Sequence, residues 1–236
     1  MKIVLMQYFT KFCKLLAKIT GSRKLRNRVM RKKLAPYEFS VLCNNCIGGV
    51  FLHDAGKRFN SPLVNLATDG DGFIELLNNP HSFIEGGDNF EEYVNPQINH
   101  PHGKLNNVIF NFVHYQTYDD AVTKWKRRGE RFIWDHIYVI ATGHDGLERA
   151  DLMEKFDKLP YKNKIMFTFG HWDYSWAYQV KRAHGVCRPF TEFASLTGKR
   201  FYETAFDIPD WIVKCENATL NDKDKEETRL LWLLGM

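Results

Sequence analysis

The sequence predicts an α/β fold, a three-layer α/β/α arrangement with a mainly parallel sheet, preceded by a basic amphipathic N-terminal helical segment. Two observations lead to this class. Apolar runs of strand length recur at residues 108–113, 137–141 and 165–169, and segments of helical periodicity lie at 117–128 and 147–159. Strands that alternate with helices are typical of a parallel sheet covered by helices.

The chain is long enough for one sizeable core. It has 236 residues, of which 44% are hydrophobic and 14% aromatic. A disordered protein is too poor in such residues to match this composition. We therefore predict one α/β domain at 37–236, preceded by the helical segment at 1–36.

The N-terminal segment combines apolar residues at helical spacing with a high density of basic residues. A break at Thr20-Gly21-Ser22 separates residues 2–20 from a second basic helix at 23–33. Basic amphipathic helices bind anionic membrane surfaces, so we predict such a contact through residues 1–33. The alternative is a docked terminal helix with a solvated outer face.

The distribution of charge supports a local anionic partner. Residues 1–37 hold eleven of the 33 Lys and Arg and no acidic residue, which leaves 22 basic residues against 28 acidic ones. No nucleic-acid-binding surface is indicated for the body. No apolar run has the roughly 18 residues of a membrane span, the start is a poor signal peptide, and five Cys fit a reducing compartment. We expect a cytoplasmic protein on the inner face of the plasma membrane.

The remaining elements follow from local signals. Thr117 is the predicted N-cap of the helix at 117–128, because two acidic residues stand in its first turn. The other predictions are a strand at 39–42, an apolar run at 63–67, helices at 72–79 and 172–184, and a long loop at 81–103.

A polar turn after the first strand is the first candidate site. Asn44, Asn45, Gly48 and Gly49 permit unusual backbone angles, and helix amides there bind phosphate. Ligands bind beyond the carboxyl ends of parallel strands. The alternative is an ordinary tight turn. Cys46 is a candidate nucleophile with a distant histidine as its base, whereas redox or zinc chemistry of the Cys43–Cys46 pair lacks a second cysteine pair.

Asp69-Gly70-Asp71 is the second candidate, and Asp71 is a candidate catalytic residue. Two such carboxylates share a divalent cation, Mg²⁺ or Mn²⁺, in many transferases. We assign no set of metal ligands and leave the cofactor open. The alternative is that Asp71 caps the following helix.

His114 and Tyr115 follow the strongest strand, where His114 is a candidate general base or phosphate ligand. Trp125, Arg127, Arg128 and Arg131 lie late in the next helix. Paired guanidinium groups hold a diphosphate, although basic residues also suit a helix C-terminus. The junctions at 142–146 and 169–173 carry further polar residues, so four junctions are expected to converge on one sheet edge.

Several of these pieces together resemble the bacterial domain-of-unknown-function family 1919, often labelled exopolysaccharide biosynthesis protein. The matching pieces are Asn44-Asn45-Cys46-x-Gly48-Gly49, Ser61-Pro62, Pro101-x-Gly103-x-Leu105, His114-Tyr115, Ala121-x-x-Lys124-Trp125-x-Arg127-Arg128 with Arg131, and Phe156-x-x-Leu159-Pro160-x-x-Asn163-Lys164 with Phe167-Thr168. They span residues 39 to about 170. Cys43 departs from an expected Ser and His136 from an expected Asn.

The resemblance implies a three-layer α/β fold and a role in surface-polysaccharide assembly. Our leading hypothesis is a glycosyltransferase-like enzyme that takes a nucleotide sugar or another phosphorylated sugar donor and a lipid-linked glycan acceptor. The alternatives are transfer of a phospho- or acyl substituent through Cys46 and His114, or a non-catalytic accessory factor. We predict that the substrate contacts Asn44, Asn45, Gly48, Gly49, Ser61, Tyr115, Trp125, Arg127, Arg128 and Arg131.

Overall fold

The computed structural model describes residues 2–181 and 190–219. The helices are α1 Lys2–Ile19, α2 Ser22–Leu34, α3 Ile47–Asp54, α4 Gly70–Asn78, α5 Pro80–Ile84, α6 Tyr118–Gly129, α7 Ala150–Lys158 and α8 Tyr202–Ala205. Residues 208–219 are also helical. The strands are β1 Ser40–Leu42, β2 Glu91–Glu92, β3 His102–Leu105, β4 Val108–Asn111, β5 Ile137–Thr142, β6 Lys164–Thr168 and β7 Ala177–Gln179. Among the described helices, none combines the length and hydropathy needed to cross a bilayer.

A four-stranded parallel sheet forms the centre of the molecule, in the order β1-β5-β6-β7. Both faces of this sheet are buried. Tyr138 and Ile140 of β5 pack into one hydrophobic cluster with α2 and α3, while Val139 and Ala141 pack into another with α4, α6 and α7. The predicted mixed α/β class, with layers on both sides of a mainly parallel sheet, is confirmed.

A second, antiparallel sheet of three strands differs from the prediction. β4 was predicted to belong to the parallel sheet, but it pairs with β3, which pairs with β2. Leu105 pairs with Val108 across the two-residue turn Asn106-Asn107, where Asn106 has φ 54°. Asn tolerates the positive φ that such hairpin turns require, so this local signal overrides the strand-helix alternation.

Two further expectations, for residues 81–103 and 172–184, are corrected by the structure. The apolar run at 63–67 ends in an isolated bridge between Ala67 and Asn111. Residues 172–184 were predicted to be helical, but Ala177–Gln179 forms β7 beside β6, and residues 182–184 lie outside the described ranges. The predicted loop at 81–103 includes most of α5, all of β2 and the start of β3.

The two predicted N-terminal helices are present, with Gly21 at φ 67° between them. α2 is docked against the body through a buried charge cluster. Arg23 contacts Asp54 of α3 and Glu203 of α8, and Arg200 Nε lies 2.9 Å from Asp54 Oδ2. The basic character of α2 is therefore partly structural, since one of its guanidinium groups is buried in ion pairs.

Candidate functional site

The ends of β1 and β5 are joined by the side chain of Asn44. This residue is fully buried, and its Oδ1 accepts from the Thr142 amide while its Nδ2 donates to the Thr142 carbonyl, each at 3.0 Å. A buried amide group that is satisfied on both sides fixes the relative position of the two strand ends. Both polar atoms of the Asn44 side chain bond to Thr142, so the role of Asn44 is to hold the two strand ends together.

Asn45 shapes the turn that presents Cys46. Its Oδ1 accepts from the Ile47 amide at 3.2 Å, and its Nδ2 donates to Thr142 Oγ1. Cys46 follows as the N-cap residue of α3, so its thiol lies at the positive end of that helix. Cys46 thus lies beyond the end of a strand and at the start of a helix, as predicted.

Cys46 and His114 meet although they are 68 positions apart in the sequence. Cys46 Sγ lies 3.2 Å from His114 Nε2. His114 reaches the sheet edge from β4, which is held there by the bridge between Ala67 and Asn111 and by a 3.4 Å hydrogen bond from the His114 amide to the Asn65 carbonyl. A thiol within hydrogen-bond reach of an imidazole is the geometry of a nucleophile with its base.

The surroundings of the Cys46 thiol disfavour its ionised form. Burial raises its pKa, and the carboxylate of Asp145 raises it further. The pKa of Asp145 is itself raised by burial and by Asp69, against the opposing effects of His144 and Asn45. A thiol of raised pKa needs a base at the moment of attack, which is a role that His114 is placed to fill.

A cleft of about 210 Å³ opens beside the thiol. Its lining includes Asn45, Cys46, Thr142, His144, Asp145 and Phe190. The His144 ring packs edge-on against Phe169 and Phe190, at centroid distances of 4.7 and 4.5 Å, and its Nδ1 lies 3.2 Å from Thr142 Oγ1. The lining of the cleft thus combines polar side chains with an aromatic ring.

Gly48 and Gly49 are needed for close packing. A Cβ on Gly48 would lie 2.9 Å from Cys43 Cβ, and one on Gly49 would lie 3.0 Å from Val64 Cγ1. Cys43 is buried, and burial raises its pKa to about 12 although the Asn45 and Gly48 amides oppose the rise. Of the two cysteines in the C-x-x-C motif, only Cys46 lines the cleft.

Most of the predicted basic and aromatic ligands bond to other groups of the protein. Arg128 is buried and donates to the Val64 carbonyl at 2.9 Å and to Tyr115 Oη at 2.6 Å. Arg131 donates to the Phe59 carbonyl at 2.8 Å, and Trp125 is a core residue that donates to the Phe83 carbonyl.

Ser61 is also buried, and its hydroxyl accepts from a nearby backbone amide. Arg127 is exposed. The Val64 carbonyl accepts from Tyr115 as well as from Arg128, so this group of residues holds the segment around residue 64, next to Asn65. None of Ser61, Tyr115, Trp125, Arg127, Arg128 and Arg131 is among the residues that line the cleft beside Cys46.

The two aspartates of the D-x-D motif have separate partners. Asp69, not Asp71 as the alternative assumed, is the N-cap of α4, and its carboxylate accepts from the Gly72 amide at 2.8 Å. Asp71 is exposed and pairs with Arg149 at 2.9 Å. Within residues 2–181 and 190–219, no group of three or more His, Cys, Asp or Glu side chains is arranged to hold a metal ion.

Glu148 is a residue of the site region that the sequence did not point to. Its carboxylate accepts from the Phe169 and Gly170 amides, each at 2.7 Å, and from Trp172 Nε1 at 2.9 Å. These bonds hold the turn after β6, which carries one of the rings packed on His144. No sequence signal identifies such a carboxylate, because two of its three partners are backbone groups.

Comparison with known proteins agrees with the resemblance noted from the motifs. The family described as Domain of unknown function (DUF1919) matches residues 18–213, which extends the match into α1 and α2 beyond the expected start near residue 39. An uncharacterized protein of Haemophilus influenzae is 32% identical over 188 residues, covering 78% of this chain and 89% of that relative. The chain belongs to the DUF1919 family.

Proposed function

We propose that this protein is a transferase that moves an acyl group onto a glycan hydroxyl through a thioester on Cys46. The observation that carries the proposal is the 3.2 Å contact between Cys46 Sγ and His114 Nε2, together with the cleft that Cys46 lines. The glycan acceptor follows from the resemblance to polysaccharide-assembly proteins, and the acyl chemistry follows from the thiol and its base.

The reaction has two displacement steps. In the first, His114 Nε2 accepts the Cys46 proton while Sγ attacks the carbonyl carbon of an activated acyl donor, and the imidazolium then protonates the leaving group. In the second, neutral His114 accepts a proton from the acceptor hydroxyl, whose oxygen attacks the thioester carbonyl. The proton returns from His114 to Cys46 as the thiol leaves, so the enzyme is regenerated.

The raised pKa of the thiol favours this scheme over a preformed ion pair. Burial and Asp145 both disfavour the thiolate in the resting enzyme. Proton removal by His114 in the transition state then accelerates the attack of the thiol, typically by about 10²–10⁴-fold for a positioned general base. Asn45 acts as a positioning residue, because its carboxamide holds both the Ile47 amide and Thr142.

We rank the glycosyltransferase hypothesis below the acyltransferase proposal. It needs guanidinium groups free to hold a donor diphosphate, whereas Arg128 donates to the Val64 carbonyl and Arg131 to the Phe59 carbonyl. A non-catalytic accessory factor would have no use for a thiol in contact with an imidazole. Direct acylation of the thiol distinguishes these hypotheses.

The test uses p-nitrophenyl acetate as a generic acyl donor with the full chain. We expect a burst of p-nitrophenol equal to the protein concentration and an acetyl group on the peptide that contains Cys46. Cys46→Ala should abolish the burst, while Cys215→Ala, which removes another half-buried cysteine, should leave it unchanged. An equal burst from Cys46→Ala and the parent would refute the proposal.

A further inference from the structure

The outer face of α1 carries an apolar stripe that residues 2–181 and 190–219 leave uncovered. Tyr8, Phe12, Leu15 and Ile19 recur every three or four residues, so they lie along one side of the helix. Their exposed fractions are 52–71%. Cys13 and Ala17, on the opposite side, are buried. α1 therefore packs against the described part of the protein through the side that carries Cys13 and Ala17, and not through the stripe.

α2, the next helix along the chain, also has exposed apolar residues. Leu25 and Val29 are one turn apart and about 60% exposed, while Met30 and Leu34 point into the core. The buried contacts of Arg23 with Asp54 and Glu203 fix which side of α2 faces outward. Among the side chains that the structure describes, seven large apolar ones on these two consecutive helices are thus exposed: Tyr8, Phe9, Phe12, Leu15, Ile19, Leu25 and Val29.

Unpaired positive charge accompanies the apolar side chains. Lys11, Lys14, Lys18, Lys24, Arg28 and Lys32 are exposed. In the part of the chain that the structure describes, these six form no ion pair. Other basic residues of α2 are used internally, since Arg26 donates to the Thr197 carbonyl and Arg31 to the Asp54 carbonyl. Residues 1–37 contain no acid that could neutralise the free cations.

We propose that this face of α1 and α2 binds the surface of an anionic phospholipid bilayer. The apolar side chains would enter the boundary between headgroups and acyl chains, and the six cations would contact lipid phosphates. A second copy of the chain fits less well, because two such faces would bring like charges together. A nucleic acid would satisfy the cations and leave the apolar stripe in water.

The full chain should sediment with vesicles of phosphatidylcholine and phosphatidylglycerol and not with phosphatidylcholine alone. Phe12→Asp, Lys18→Glu and Lys24→Glu should each lower the partition coefficient, and the two lysine reversals together should lower it roughly tenfold or more. Raised salt should weaken binding by the parent. Val94→Asp, which changes an exposed apolar residue outside α1 and α2, is the matched control and should bind like the parent.

Each substituted side chain is exposed, so all four variants should keep the thermal unfolding midpoint of the parent. Equal binding to neutral and anionic vesicles would overturn the proposal, as would unchanged binding by the Phe12 and lysine variants. A dimer in sedimentation velocity that Phe12→Asp disperses, with no vesicle binding by the parent, would assign the face to a second copy and also overturn it.

Discussion

Asp54 is the carboxylate on which the attachment of the N-terminal helices depends. It ends α3, is 2% exposed, and accepts from Arg23, from Arg200 Nε at 2.9 Å and from Asn27 Nδ2 at 3.0 Å. Asp54→Asn keeps the shape of the side chain and removes its charge. Two guanidinium groups then remain largely buried without their shared counterion.

Breaking a buried ion pair by removing one partner typically costs about 3–5 kcal/mol, because the remaining charge stays desolvated. Glu203 still pairs with Arg23, which places Asp54→Asn near the lower end, at about 3 kcal/mol. Loss of this size is a large part of the free energy of unfolding of a typical domain.

The effect should depend on pH in a defined direction. Burial alone would favour the neutral acid, but Arg200 and Arg23 hold the pKa of Asp54 below its ordinary value. A carboxylate whose pKa is lower in the folded state stabilises the fold above its unfolded pKa of about 3.9. That stabilisation is lost as the pH falls through the folded value, so the parent and the variant should converge in acid.

Urea denaturation followed by tryptophan fluorescence measures the difference, at pH 7 and in steps below pH 4. Glu38→Gln is the control, because Glu38 pairs with Lys57 through a carboxylate that is mostly exposed. It should leave the denaturation midpoint unchanged. An Asp54→Asn variant as stable as the parent at pH 7 would refute the view that this charge cluster anchors α2.

Two further predictions concern the cleft. Asp145→Asn removes a charge that raises the Cys46 pKa and keeps a residue type that tolerates the observed φ of 58°, so alkylation of Cys46 by iodoacetamide at pH 7 should accelerate severalfold. A slower rate would contradict the electrostatic account. Gly70→Ala places a Cβ 2.6 Å from Leu147 Cα, so it should lower the free energy of unfolding by about 1–3 kcal/mol in thermal unfolding. An unchanged unfolding midpoint would contradict this and would show that the turn at 144–147 moves to make room for the Cβ.

The elements with strong local signals were predictable from the sequence. α6 begins after Thr117, whose hydroxyl accepts from the Asp120 amide, as the capping pattern indicated. β5 and β6 lie where uninterrupted apolar runs predicted buried parallel strands. β7 was not predictable, because its three partly exposed residues are ordered by pairing with β6 and not by a local pattern.

The positions of two candidate site residues, Cys46 and His114, show how far the sequence was informative. Cys46 was placed correctly beyond β1. His114 was expected at the end of a parallel strand, yet it arrives from an antiparallel hairpin that is joined to the site by the bridge between Ala67 and Asn111. Such a bridge has no signature in sequence spacing, so the meeting of thiol and imidazole needed the three-dimensional structure.

The arginines illustrate a second limit. Arg128 and Arg131 have the spacing of an anion-binding pair, but they donate to the carbonyls of Val64 and Phe59. Backbone carbonyls in an irregular buried segment must find donors, and long guanidinium side chains supply them. Sequence alone does not distinguish a guanidinium group that binds substrate from one that satisfies the backbone.

The dependence of Cys46 acylation on His114 tests the central claim most directly. The rate constant for acetylation of Cys46 by p-nitrophenyl acetate is measured by quenched mass spectrometry for the parent and for His114→Gln, from pH 6 to pH 10. We predict a rate for the variant about 10²–10⁴-fold lower at pH 7, with the two rates converging at alkaline pH as the thiol ionises without a base. Superimposable profiles across the whole range would contradict the assignment of His114 as the base.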